Sequence, residues 1–285
     1  MANLLKGAPV AAALSEQTSA DAAALREAGI VPTLAILRVG EREDDLVYER
    51  NAVKRCEKTG VAVKTAALPA DVDSDTFFNA LEDLNRDDSV HGILLFRPLP
   101  KHLDEERARA LLSPDKDVDG CTDISLAGVF TGTDRGFPPC TARAVLEILR
   151  FYGVEMRGKR AAVVGRSLVI GRPAAMLLLR EDATVTLCHS RTEDLPAVTR
   201  QADILVVASG RMESIGREHL RAGQTVIDVG IGWNEEKQKL CGDVNFEEAE
   251  TIADAITPVP GGVGGVTTAV LCRHVVEAAM RRKRA

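Results

Sequence analysis

The stretch RAAVVGRSLVIGRP, residues 160–173, decides the fold. Residues 161–164 form a continuous apolar run, the pattern of a strand buried on both faces, and the run stops at Gly165. Arg166 and Ser167 follow, then Gly171 and Pro173, then the helix-like run AAMLLLRE. Strand, glycine turn and helix in that order make a phosphate site, because the unpaired N–H groups of a helix start face an anion. Gly165 permits close backbone approach, and Gly171 lets the helix pack near the strand. Pro173 suits a first helical turn, where a missing N–H costs nothing. The spacing departs from GxGxxG, so an ordinary strand-to-helix turn stays open on this stretch alone.

Outward from this turn, strands and helices alternate. Residues 183–190 (ATVTLCHS), 203–209 (DILVVAS) and 225–231 (TVIDVGI) read as strands, with helices near 193–200 and 216–221. This is a dinucleotide-type, doubly wound unit. ITPVPGGVGG, residues 256–265, reads as a glycine–proline turn, and a last helix over 266–285 is expected to pack back on the first domain. The N-terminal half alternates too. Helix 10–28 ends at Gly29, and strand 31–39 ends at Gly40. Helix 41–59 stops at Gly60, strand 61–68 follows, and helix 75–85 has Ser74 as N-cap. Strand 91–96 leads to RPLP, a short helix covers 104–112, and the loop 114–120 follows. GTDRGFPPCT, residues 132–141, reads as an interdomain crossing, with a helix over 142–152 beyond it. The fold class is α/β: residues 1–141 form one α/β domain and residues 142–265 a Rossmann-type doubly wound parallel sheet.

The chain has 285 residues, 45% of them hydrophobic and 27% charged, as in a globular protein. A net charge of −6 argues against nucleic acid or an anionic membrane as partner. The basic end at 281–284 reads as a solvated helix terminus favoured by the dipole. No apolar run approaches the roughly 20 residues of a bilayer span, and no secretory signal is expected. Cys56, Cys121, Cys140, Cys188, Cys241 and Cys272 form no CxxC pair, so neither a metal site nor a disulfide framework is expected. A reducing cytoplasm is the simplest setting.

Several side chains could carry chemistry. The strand end at Cys188-His189-Ser190-Arg191 lacks the acidic residue that grips the free ribose of NAD. Arg166, Ser190 and Arg191 there suit the extra phosphate of NADP, and His189 reads as an orienting residue. Tyr48 and Lys54 share one helix but fall on different faces, so Lys54 reads as a solvated lysine. Asp115, Asp117 and Asp119 lack the remaining ligands of a calcium loop. One of them suits hydrogen bonding to a polar heterocycle.

Taken together, KDVDG (116–120), PCT (139–141), VVGRSLVIGRP (163–173), ATVTLCHSRT (183–192), VIDVGI (226–231), GDV (242–244) and TPVPGGVG (257–264) occur in one order along nearly the whole chain. This closely resembles the methylenetetrahydrofolate dehydrogenase/cyclohydrolase family. The resemblance implies two α/β domains flanking a cleft, a homodimer, and hydride transfer from 5,10-methylenetetrahydrofolate to NAD(P). In bifunctional members, hydrolysis of the methenyl product follows. Carried over by position, Tyr48 stacks near the pterin and p-aminobenzoate, and Asp119 grips the pterin's amino and ring N–H groups. Pro260, Gly261 and Gly264 line the folate wall, while Gly165, Arg166, Ser167, Gly171, His189 and Ser190 hold the dinucleotide.

Two positions depart from the family pattern. Its catalytic lysine, four residues after the tyrosine, is Ala52 here, and its third-strand glutamine is Phe96, followed by Arg97. That lysine–glutamine pair handles protons for water attack, help typically worth about 10²–10⁴-fold. Hydride transfer depends mostly on positioning. The expectation is a dehydrogenase whose cyclohydrolase step is weak or lost. Two alternatives stand beside it: a bifunctional enzyme in which Lys54 or Arg97 substitutes, and a silent folate- or nucleotide-binding protein.

Overall fold

The computed structural model describes residues 1–284. In chain order its elements are β1 (Asn3–Leu4), α1 (Gly7–Glu27), β2 (Thr33–Val39), α2 (Glu43–Thr59), β3 (Ala62–Leu68), α3 (Ser74–Arg86), β4 (Gly92–Leu95), α4 (Glu105–Leu111), α5 (Asp123–Thr131) and α6 (Cys140–Phe151). There follow β5 (Arg160–Val164), α7 (Gly171–Arg180), β6 (Thr184–Cys188), α8 (Leu195–Arg200), β7 (Ile204–Val207), β8 (Thr225–Asp228), the hairpin β9 (Gly232–Asn234) and β10 (Lys239–Cys241), α9 (Phe246–Ile252), β11 (Ala255–Ile256) and α10 (Val263–Arg284).

The chain divides into two compact units, one of Ala12–Cys140 with Thr268 onward, the other of Met1–Ala11 with Thr141–Thr267. The first holds a parallel sheet of order β3-β2-β4. Every residue of the central β2 is buried, as its near-continuous apolar sequence requires. Thr33 and Arg38 are the polar exceptions, and the Arg38 guanidinium pairs with Glu49 at 2.7 Å. From α3, Phe77, Phe78 and Leu81 are buried against the sheet, each contributing roughly 1.5–3 kcal/mol by leaving water. Asp73, not Ser74, caps α3: its carboxylate accepts the Thr76 N–H. Asp is as good a cap as Ser, and it comes one residue earlier.

The second unit holds a parallel sheet of order β1-β11-β8-β7-β5-β6. The alternating strands on either side of β5 make this a doubly wound sheet whose order reverses between β5 and β7. Its core is built from Ala162, Val164, Leu205, Val207, Val226 and Ile256. Four expectations change. Residues 1–11 belong here rather than with the first unit, because β1 pairs in parallel with β11. Residues 216–221 hold only a 3-10 turn, Arg217–His219. Helix α5 and the hairpin β9–β10 lie in stretches read without structure. The basic end is tied down: Arg281 stacks 4.1 Å over the Phe137 ring and donates to the Gly136 carbonyl, and Arg282 pairs with Asp88 at 2.6 Å.

Candidate active site

In the second unit a pocket of about 450 Å³ opens at the C-terminal end of β5, where the strand order reverses and ligands of such sheets bind. Gly165 has φ +127°, and a Cβ there would overlap the Ala208 carbonyl just beyond β7. A Cβ on Gly171 would overlap the Gly165 carbonyl. The two glycines therefore let strand end, neighbouring strand end and helix start converge. Ser167 Oγ accepts the Ile170 N–H at 3.1 Å and shapes the loop between them.

Arg166, Ser167, His189 and Ser190 line this pocket with Gly165. His189 Nδ1 accepts the Arg191 N–H at 3.2 Å, which puts the ring proton on Nε2. Arg191 gives only that backbone contact; its exposed side chain is not part of the lining. Gly171 acts through packing and lies beneath the surface. Ser209, Arg211, Ser214 and His219 also line it, and the sequence alone singles out none of them. For Ser209 the signal is the GDV motif: Asp243 accepts from Ser209 Oγ at 3.1 Å and from the Gly210 N–H at 2.8 Å. Asp228 accepts the N–H groups of Gly230, Asp243 and Val244, tying VIDVGI to GDV. Burial raises its carboxyl to about 7, with those N–H groups opposing.

In the first unit a second cluster forms at the C-terminal ends of β2 and β4. Helix α2, which follows β2, carries Tyr48 and Ala52, and Phe96 and Arg97 follow β4. The loop 114–120 runs beside β4 through the Ile93 N–H bond to Lys116 O, 2.7 Å. Asp117 is committed to structure: it accepts from Cys121 N, Thr122 N and Ser125 Oγ. Asp115 is exposed. Asp119 alone keeps its carboxylate for the site, 4.0 Å from Arg97 Nη2. Burial pushes Asp119 up to about 6, and the Arg97 charge opposes that rise. Burial, then the Asp119 charge, raises the Tyr48 hydroxyl well above its ordinary value, so it stays a donor.

Ala52 is fully buried, and Phe96, 8% exposed, packs edge-on against Tyr48 at 5.8 Å. Lys54 is exposed: two residues beyond Ala52 it points about 200° away round the helix. It therefore faces solvent, away from the direction of Ala52. Pro260, Gly261 and Gly264 fall in the second unit, at the turn into α10. Pro260 shares a depression of about 340 Å³ with Asp228 and Trp233, apart from the Gly165 pocket. Among the described residues no cluster of His, Cys, Asp and Glu could hold a metal, and no helix is long and apolar enough to cross a membrane.

Residues 5–119 match the catalytic domain of tetrahydrofolate dehydrogenase/cyclohydrolase, and residues 139–283 match its NAD(P)-binding domain. The chain belongs to this family. A "Bifunctional protein FolD" of Carboxydothermus hydrogenoformans is 52% identical over 279 residues, 98% of this chain and 97% of the relative. The bifunctional FolD enzyme of Campylobacter jejuni superposes with a TM-score of 0.95 at 36% identity, covering 99% of this chain and all of that one. A Trypanosoma brucei family member, solved with NADP cofactor and inhibitor, gives 0.92 at 35% identity, covering 100% and 99%. The Gly165 pocket lies within the segment that matches the NAD(P)-binding domain, and the Tyr48–Asp119 cluster within the catalytic one.

Proposed function

We propose that the chain oxidises 5,10-methylenetetrahydrofolate with NADP to the methenyl product, and that the hydrolytic step of the family is weak or lost. The observation that carries this reading is the apolar pair at the proton-handling positions: a fully buried Ala52 and a Phe96 packed on Tyr48. Neither side chain accepts or donates a proton. Arg97, next to Phe96 in the chain, is the remaining candidate substitute, but a guanidinium offers donors and no acceptor and cannot act as a base. Losing such help typically costs about 10²–10⁴-fold in a step that moves protons.

Substrate binding keeps its groups. Asp119 accepts the pterin's amino and ring N–H pair, and Tyr48 offers a ring face and a protonated hydroxyl. NADP supplies the hydride acceptor when bound. The Gly165–Gly171 approach fits its pyrophosphate, and Arg166 and Ser190 fit the 2′-phosphate. The family resemblance further carries a cytoplasmic location and a homodimer, the latter tested by light scattering on the purified protein.

The second reading, a fully bifunctional enzyme, is favoured by the description of the 52% identical relative as bifunctional. Hydrolysis of methenyltetrahydrofolate separates these two readings; the oxidation step itself is tested by supplying methylenetetrahydrofolate with NADP or NAD and following reduced nicotinamide. Turnover with preference for NADP is expected. Binding of both ligands without reduced nicotinamide makes the chain a silent binding protein and overturns the reading.

A further inference from the structure

We propose that Arg97 is a positioning residue for Asp119: its guanidinium fixes the charge and aim of the carboxylate that takes the folate's N–H donors. This rests on the reading of Asp119 as the pterin grip. Arg97 lies between two carboxylates, Nη2 at 4.0 Å from Asp119 and Nη1 at 3.9 Å from Glu105. Both separations are ion pairs rather than hydrogen bonds. Glu105 is itself pinned, its second oxygen accepting the Leu99 N–H at 3.0 Å. The guanidinium side chain is 20% exposed, and its Nε is buried with no partner. An unsatisfied buried donor costs the free protein stability. That pattern fits a cation kept for its field more than for its own hydrogen bonds.

Besides Arg97, burial and Asp117 work against the Asp119 charge, and the Cys140 thiol supports it, as the smallest contribution. Asp117, on the same loop, is a like charge. From α6, the Cys140 thiol hydrogen-bonds the carboxylate, but it also donates to Val118 O at 3.2 Å. The Tyr48 hydroxyl on α2 and the Cys121 thiol each feel the Asp119 charge and are themselves held protonated, chiefly by burial. Of these groups only Arg97 is a cation. With it in place the Asp119 carboxyl still titrates at about 6. Without it, burial and Asp117 are opposed only by the Cys140 thiol, and the carboxyl holds its proton to a higher pH. A protonated carboxyl loses an acceptor and gains a donor, so it cannot receive the pterin's paired N–H groups.

The test compares wild type with Arg97→Met, Arg97→Gln, Arg97→Lys and Asp119→Asn. Tetrahydrofolate binding and kcat/KM for methylenetetrahydrofolate are measured from pH 5 to 9. In wild type, affinity is expected to fall on the acid side near the Asp119 value. Arg97→Met and Arg97→Gln move that limb upward by about one unit or more, a loss of roughly tenfold per unit at pH 7. Affinity recovers toward pH 9, Arg97→Lys restores most of it, and kcat at saturating folate changes little. An acid limb that stays put in both neutral variants, while Asp119→Asn weakens binding, overturns this inference alone. Unchanged affinity in Asp119→Asn overturns the pterin assignment and this inference with it.

Discussion

Phe96 stands edge-on to Tyr48, ring centroids 5.8 Å apart and planes at 76°. The pair sits beside Ala52, which has no exposed surface. Neither an aromatic edge nor a methyl group can take a proton from water, and the proposed loss of the hydrolytic step rests on these two side chains. Restoring a proton-handling group should restore the chemistry. Ala52→Lys combined with Phe96→Gln is expected to raise hydrolysis of methenyltetrahydrofolate by roughly 10²-fold or more, with each single change giving less. Rates of the formyl product's appearance in the three variants check this.

The Gly165–Gly171 approach should tolerate no side chain. Gly165→Ala adds a Cβ at φ +127° and against the Ala208 carbonyl, and Gly171→Ala adds one against the Gly165 carbonyl. Each is expected to cost about 1–3 kcal/mol in urea unfolding and to abolish measurable NADP binding by calorimetry.

Two carboxylates two residues apart should respond oppositely to removal. Asp117 accepts three hydrogen bonds and has no exposed surface. Asp117→Ala strands those donors and is expected to destabilise by at least about 2 kcal/mol. Asp119, raised to about 6 by burial, binds its proton more tightly folded than unfolded. Its ionisation therefore destabilises the fold progressively from about pH 4 to 6, and fully above that. Asp119→Asn should stabilise the protein by about 1–2 kcal/mol at pH 8, with the gain vanishing toward pH 4, while folate binding weakens. Unfolding curves at both pH values separate the two variants.

NADP selectivity should reside in the pocket lining. Arg166 and Ser190 line it and Arg191 does not. Arg166→Ala is expected to raise KM for NADP by roughly 10–100-fold, the worth of a charged hydrogen bond, with little effect on NAD. Arg191→Ala should leave both nearly unchanged. Parallel KM measurements with the two cofactors decide it.

How far the sequence disclosed this architecture follows from the range of the forces involved. β5, Gly165 and α7 were legible because a doubly buried strand and a glycine turn are written locally. So was β2, apolar along its length apart from Thr33 at its start and Arg38. The two-residue strands β1 and β11 were not, since their identity rests on pairing across more than 250 positions. Helix α5 hid behind Gly128 and a face carrying exposed Ile124 and Phe130, which breaks amphipathic periodicity. Within the site, the loop aspartates looked equivalent until Asp117 was seen to be consumed by three donors. Lys54 stayed open as a substitute until α2 turned it to solvent. Arg281 read as a solvated charge because nothing local announces Phe137 beneath it.

The most direct measurement supplies methenyltetrahydrofolate to the purified wild-type protein and follows conversion to the 10-formyl product against buffer alone. With the apolar Ala52 and Phe96 in the Tyr48 cluster, the proposed function predicts a rate close to that of buffer, while the same preparation reduces NADP with methylenetetrahydrofolate. Hydrolysis on the order of 10²-fold or more above buffer would contradict the claim that this chain stops after hydride transfer.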